Sequence, residues 1–339
     1  MGTFKDNLNI IQHLTPRRVW NLILLRVSYL LSRITKKSII FGLPFTVSIE
    51  PTTACNLACP ECPSGLKQFS RPTGKIDLKV NQDLVKSLGK QLFYINYYFQ
   101  GEPFLHPQFL ELVKEAKKHK IYTATSTNAH FLNPQKADEI VESGLDRLII
   151  SIDGLTQKTY ESYRVNGKLS QVIAGAKLMV EAKKKAKSST PHLIFQFLVV
   201  KPNEHEIPGV FELANELGID EVRLKSAQIY NFEKGNRLIP ENEKYSRYKR
   251  KADGTYKLKY PTGNHCWRMW SSCVITWNAN IVPCCFDKDA SYVLGSAVEQ
   301  DFKPIWNSPK YQAFRLAILT GRNQIDICRN CSEGSKVWV

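Results

Sequence analysis

Between residues 45 and 225 short apolar segments alternate with amphipathic ones, and this alternation restricts the fold more than any other feature of the chain. Strand patterns, rich in β-branched and aromatic residues and bounded by turn signals, fall at 45–50, 94–100, 121–127, 147–152, 193–200 and 221–225. Helical patterns fall between them at 80–91, 109–118, 134–143, 170–187 and 208–217, with Gly144 and Gly218 where helices should stop. Strands separated by helices predict a parallel sheet with right-handed crossovers. Six such units, over residues 44–230, fit an open partial (β/α)6 barrel better than a closed eight-stranded one. In such sheets a ligand sits at the carboxyl ends of the strands.

The flanks have a different character. Residues 1–43 contain one strong helical pattern at 16–37. Pro16 suits a first helical position. Val19, Trp20, Ile23, Leu24, Val27, Leu30, Leu31 and Ile34 form one stripe, with Arg17, Arg18, Asn21, Arg26, Ser28, Ser32, Arg33 and Lys36 opposite. A stripe of this kind fits a membrane interface and fits packing on a neighbouring surface equally well. Residues 231–264 are polar, basic and rich in tyrosine, and read as a connector. Residues 265–339 hold six cysteines, short strand patterns and a helix near 309–319, with too little apolar sequence for a core of their own.

The chain has nine cysteines, so complete internal pairing is impossible. With a polar N-terminus and no export signal, their clustering suggests metal in a reducing cytoplasm. Cys55, Cys59 and Cys62 follow the first strand directly in "TTACNLACPECPSG". Soft thiolates select iron–sulfur clusters or zinc. Three ligands would leave one iron open, whereas a zinc knuckle would borrow a distant fourth ligand. The net charge of +16 favours anionic partners. The lysine runs at 114–120 and 183–187 read as exposed helix faces. There is no aromatic interleaving of the kind that marks nucleic-acid stacking platforms, so no nucleic-acid partner is expected.

The C-x3-C-x2-C loop after the first strand of a partial barrel resembles the radical S-adenosylmethionine (SAM) superfamily. The resemblance implies a TIM-like partial barrel. It places a [4Fe–4S] cluster on Cys55, Cys59 and Cys62, with SAM chelating the open iron and yielding a 5′-deoxyadenosyl radical. "YYFQGEPFLHP" (97–107) is similar to the family's glycine-glutamate-proline motif. By resemblance Gly101, Glu102 and Pro103 take the methionine amino group, with Gln100 in place of the usual first glycine. Ser126 and Asn128 in "TSTNA" and Ser151 and Asp153 in "LIISIDG" match later strand ends. Arg164 matches an arginine that pairs with the SAM carboxylate, and Asn203 a residue near the adenosine. Glu61 departs from the pattern, since an aromatic residue often stands there.

The C-terminal segment resembles the family's short auxiliary-cluster domain, Twitch, a relative of SPASM. The resemblance implies a second [4Fe–4S] cluster on Cys266, Cys284, Cys328 and Cys331. Cys273 is expected in the core and Cys285 facing away from that cluster. Ala279-Asn280 replaces a common glycine, and Asn280 is expected to accept the left-handed turn.

The expected protein is thus a radical SAM enzyme that abstracts a substrate hydrogen and passes an electron to one auxiliary cluster. Dehydrogenation of a small molecule, modification of a peptide and action on a lipid-linked substrate all remain open. Only about forty residues precede the barrel, which argues against a leader-peptide-binding domain. A flavodoxin or ferredoxin is the expected electron donor, steered by the basic surface. The chain is expected in the cytoplasm, with residues 16–37 able to hold it at the inner membrane surface. The alternative is a non-catalytic metal-stapled protein that binds nucleic acid or membrane. It leaves "QGEP" and "SIDG" unexplained.

Overall fold

The computed structural model describes residues 2–260 and 263–331. Pro261 and Thr262 of the connector and residues 332–339 of the C-terminal segment lie outside the described residues. Two helices come first, α1 (Gly2–Gln12) and α2 (Pro16–Thr35). Strands β1 (Thr46–Ile49), β2 (Tyr94–Asn96), β3 (Tyr122–Thr127), β4 (Arg147–Ser151), β5 (His192–Val199) and β6 (Glu221–Ser226) then pair in parallel, in chain order. Between them run α3 (Pro63–Leu66), α4 (Leu78–Leu88), α5 (Phe109–Lys118), α6 (Pro134–Glu142), α7 (Gln157–Glu161), α8 (Leu169–Lys185) and α9 (Ile207–Leu217). This is the expected partial barrel.

Local chemistry sets the boundaries. Asp77 caps α4 by accepting from the Lys79 N–H at 2.7 Å, and Asn133 caps α6 at Lys136, with Pro134 in the first turn. The short α7 escapes the periodicity because five residues hold barely one turn. It starts at the Thr156 cap. Strand β2 is shorter than the apolar pattern 94–100. The chain leaves the sheet after Asn96 and turns at Gly101, whose φ is +76°.

The connector is less polar in effect than in composition. It forms a hairpin of β7 (Tyr248–Arg250) and β8 (Tyr256–Leu258). Phe232, Leu238, Ile239 and Tyr248 pack with Leu57, Cys59 and Tyr163, so the connector closes over the cysteine loop.

The C-terminal segment contains α10 (Arg268–Ser271), β9 (Ser272–Ile275), β10 (Asn280–Val282), β11 (Gly295–Ser296), α11 (Phe302–Trp306), α12 (Pro309–Gly321) and α13 (Asp326–Arg329). Strand β9 pairs in parallel with β1 from Thr46↔Ser272 to Ile49↔Ile275, so one nine-stranded sheet runs through both regions. Trp270, Ile275 and Trp306 share a buried cluster with Val47, Ile95 and Leu148. A buried bidentate pair, Arg71 on Glu50, stands at the end of β1, where Glu50 also accepts from the Trp277 N–H. Cys273 is buried, as expected. The left-handed residue of the β9–β10 turn is Ala279, at φ +62°, and not Asn280. Asn280 is the first residue of β10, and its carbonyl accepts from Thr276.

Helix α2 is amphipathic as read, and the face that carries most of its small polar residues is the one that packs on the chain. Its buried face is Arg18, Asn21, Leu25, Ser28, Tyr29 and Ser32. Arg18 donates to the carbonyls of His13, Gly89, His119 and Lys120 at 2.6–2.9 Å. Asn21 exchanges two hydrogen bonds with Leu43, and Ser28 and Ser32 accept from the Phe41 and Ile39 amides. The apolar stripe is not packed away by the described residues of this chain: Trp20 is 61% and Ile34 77% exposed. The polar face is buried because the loops entering the strands present carbonyls that need donors.

Arg18→Met should leave four carbonyls without their donor, two of them in buried bonds, and lower stability by about 3 kcal/mol. Chemical denaturation followed by circular dichroism measures this. A variant as stable as the parent would show that water replaces the guanidinium.

Candidate active site

The mouth of the sheet is an open cleft of about 440 Å³ at the carboxyl ends of the strands. Cys55, Cys59 and Cys62 line it from the β1–α3 loop, and Gln100, Gly101 and Glu102 from the loop after β2. Ser126, Asn128, Ser151 and Arg164 complete the expected residues found on its wall.

Hydrogen bonds lock these loops together. The Glu102 N–H donates to the Ala54 carbonyl at 2.8 Å, and the Gly101 N–H to Ser64 Oγ at 2.8 Å. A Cβ on Gly101 would collide with the Thr52 carbonyl, and its positive φ also favours glycine. Glu102 accepts from Thr127 Oγ1 at 2.8 Å and from the Asn128 N–H at 2.7 Å, which joins the cysteine loop through β2 to β3. Pro103 opens the turn that Glu102 caps and lies behind the wall. Gln100 donates to the Phe99 carbonyl, with its Oε1 3.9 Å from Cys62 Sγ.

Asp153 and Arg164 form a buried ion pair through Nε, and Arg164 Nη1 reaches Cys59 Sγ at 3.9 Å. Asp153 also accepts from the Leu198 N–H, fastening β4 to β5. Asn203 does not line the cleft. It is fully buried in the turn after β5 and spends its amide on the Asp153 and Leu198 carbonyls and the Val200 N–H. Glu61 joins the cysteine loop to Tyr230, just before the connector, by accepting from its N–H at 2.9 Å.

Motif reading found two members, Ser126 and Ser151, of a ring of polar side chains and missed the other four. Ser48, Asn96, Ser126, Ser151, Gln196 and Lys225 place one polar residue from each of β1 to β6 on the cleft wall. Lone polar residues inside apolar strand runs were the available signal. Asn96 Oδ1 is buried and meets no donor among the described residues, so it is able to accept from a bound molecule.

Cys266, Cys284, Cys328 and Cys331 line a separate, smaller cavity with Arg322 and the apolar side chains Met269, Phe314 and Ile318. Arg322 is buried and donates to Cys331 Sγ at 3.3 Å. Cys285 turns the other way and lines the main cleft, 3.9 Å from Arg268 Nη1.

Burial pushes the Cys55 thiol up to about 11, with a smaller contribution from Glu102. Burial, and then the neighbouring thiols Cys285, Cys266 and Cys331, hold Cys284 well above its ordinary value. Converging buried thiols that resist ionising alone suit ligation, because iron compensates the thiolate charge. Among the described residues no three His, Cys, Asp or Glu side chains converge on one metal ion. A cluster takes each thiolate on a different iron and so asks for a wider spread than a mononuclear site. The thiols, the Arg164 and Arg322 cations and the buried Asn96 oxygen all fit cluster and ligand.

Fold and site together define a partial barrel built to carry clusters at and beside its mouth. Residues 49–214 match the Radical SAM superfamily model, and residues 266–332 match SPASM, an iron–sulfur cluster-binding domain. The chain belongs to the radical SAM superfamily and carries a SPASM-type domain. Membership implies a [4Fe–4S] cluster and SAM at the barrel, and a further cluster site in the C-terminal domain.

Among relatives, the PqqA peptide cyclase of Gluconobacter oxydans is 25% identical over 316 residues, spanning 87% of this chain and 84% of that protein. The tungsten-containing aldehyde ferredoxin oxidoreductase cofactor-modifying protein of Pyrococcus furiosus is also 25% identical, over 84% of this chain and 86% of that one. Among solved structures, Streptococcus suis SuiB bound to S-adenosylmethionine aligns with a TM-score of 0.64 at 15% identity, over 90% of this chain and 76% of that one. BtrN in complex with AdoMet and 2-DOIA aligns with a TM-score of 0.55 at 20% identity, over 87% and 95%. At these identities both structures speak for the fold alone.

Burial pushes the Glu102 carboxyl up to about 7, against the opposing hydrogen bonds from Asn128 and Thr127. A carboxyl raised in this way stabilises the fold below its unfolded value of 4.5, and the contribution is lost as pH rises through 7. Without SAM, the protein should lose about 3 kcal/mol of stability between pH 5 and pH 8 from this group. Glu102→Gln should flatten that part of the profile. An unchanged slope in the variant would assign the pH dependence elsewhere.

Proposed function

We propose that the chain holds a [4Fe–4S] cluster through Cys55, Cys59 and Cys62, binds SAM beside it, and abstracts a hydrogen atom from a substrate held beneath Cys285, Lys288 and Arg247. The carrying observation is the pairing of an open set of three thiols at the mouth with a closed set of four behind it. When bound, cluster and SAM would supply reductive cleavage chemistry and hydrogen-atom abstraction.

The chain's own residues do the rest. Gly101 and Glu102 hold the methionine end against the cysteine loop. Arg164 is oriented by Asp153 and balances charge at Cys59. The Asn96 oxygen accepts from the ligand, and Ser126, Asn128, Ser151 and Gln196 frame it. The connector excludes water from the cysteine loop. Cys266, Cys284, Cys328 and Cys331 would hold one auxiliary cluster, which would supply electron-transfer chemistry beside the cleft.

The substrate side of the cleft is cationic. Lys225, Arg247, Arg268 and Lys288 line it, whereas the Glu61 and Glu102 carboxylates are taken by backbone N–H groups. This favours a substrate with a carboxylate or phosphate. The similarity to a peptide cyclase favours a peptide, with carboxylate-bearing side chains, over a neutral small molecule. An acidic flavodoxin or ferredoxin is the proposed donor.

Anaerobic reconstitution should give about eight irons and eight sulfides per chain, falling to about four in Cys59→Ala or Cys284→Ala. Under dithionite the parent should release 5′-deoxyadenosine from SAM, and Cys59→Ala should lower this at least a hundredfold. Zinc without sulfide, or no release from fully loaded protein, would overturn the reading.

A further inference from the structure

We propose that α1 and α2 form a docking face for an anionic lipid bilayer, in which they lie at the interface without crossing it. The exposed stripe of α2 is Val19, Trp20, Ile23, Val27, Leu30, Leu31 and Ile34. On α1, Phe4, Leu8 and Ile11 are also exposed, one helical turn apart. Seven large apolar side chains on one exposed face of a 20-residue helix are unusual on a water-facing surface. The opposite face cannot rotate outward, because Arg18, Asn21, Ser28 and Ser32 are held by the loops they satisfy.

Charge chooses the occupant. From residue 7 to residue 49 the chain holds no Asp or Glu. Arg17, Arg26, Arg33, Lys36 and Lys37 are all exposed there. At 100° per residue, Arg17 lies on one margin of the apolar stripe and Arg26 and Arg33 on the other. The only acid of α1, Asp6, is buried against Arg147 and Tyr122. Apolar residues flanked by cations and free of exposed acids complement a surface of anionic headgroups over acyl chains. No helix among the described residues is long and apolar enough to cross a membrane.

Placement gives the orientation. The buried face of α2 contacts Leu43, Gly89, His119, Lys120 and Trp270, which precede β1, β2, β3 and β9. The two helices therefore cover the amino ends of the strands, and the cleft opens at the other end. A docked chain turns its cleft away from the bilayer and takes its substrate from the aqueous side.

The test is vesicle flotation of the full chain, with Trp20 fluorescence in brominated lipid. Phosphatidylglycerol–phosphatidylcholine vesicles should carry the chain at low salt, with at least tenfold less bound to phosphatidylcholine alone. Trp20 quenching should disappear in Trp20→Phe. Ile23→Glu/Leu30→Glu, both on the exposed stripe, should keep the circular dichroism of the parent and reduce binding at least tenfold. Equal binding by that variant would assign the effect to bulk charge and overturn the proposal. So would equal binding to both vesicles, or a dimer in lipid-free solution that the same variant dissociates. Neither clusters nor SAM enter this test, so its outcome is independent of the proposed reaction.

Discussion

The mouth of this sheet depends on one buried carboxylate. Glu102 takes hydrogen bonds from Thr127 and the Asn128 amide, while its own N–H holds the Ala54 carbonyl beside the first cysteine. Cysteine loop, second-strand loop and third strand are thereby one unit. Gly101 permits the close approach, and Asp153 repeats the device between β4 and β5. Buried acids that are fully hydrogen-bonded hold loops at fixed separations, which a site for a radical reaction requires.

The second constraint is the shared sheet. Because β9 adds to β1 in parallel, the four-thiol cavity is tied to the same framework as the three-thiol loop. Cys284 and Cys285, adjacent in sequence, face the two cavities separately. A single backbone step thus stands between the proposed auxiliary cluster and the substrate cleft, a short path for an electron.

Much of this was legible in the sequence because local pattern determines it. The six strands, their helices and the cysteine spacings each follow from residues within a few positions. The pairing of β1 with β9 was not legible, since residues 46 and 272 carry no mark of each other. Asn203 could be placed after β5 but not into the cleft, because its turn consumes its amide. The stripe of α2 was legible as a period, but which face would be buried was not. That depended on carbonyls at Gly89, His119 and Lys120, which only the fold brings to Arg18. The polar ring on β1 to β6 shows the same limit: a lone Asn96 or Gln196 reads as noise until the strands are set side by side.

The central claim is that one thiol set is open to a ligand and the other is closed. Electron paramagnetic resonance of the dithionite-reduced, fully reconstituted protein tests it most directly. On addition of SAM, one [4Fe–4S]⁺ signal should shift and the other should keep its g values. Cys59→Ala should remove the responsive signal alone. Two signals that both respond, or neither, would contradict the account.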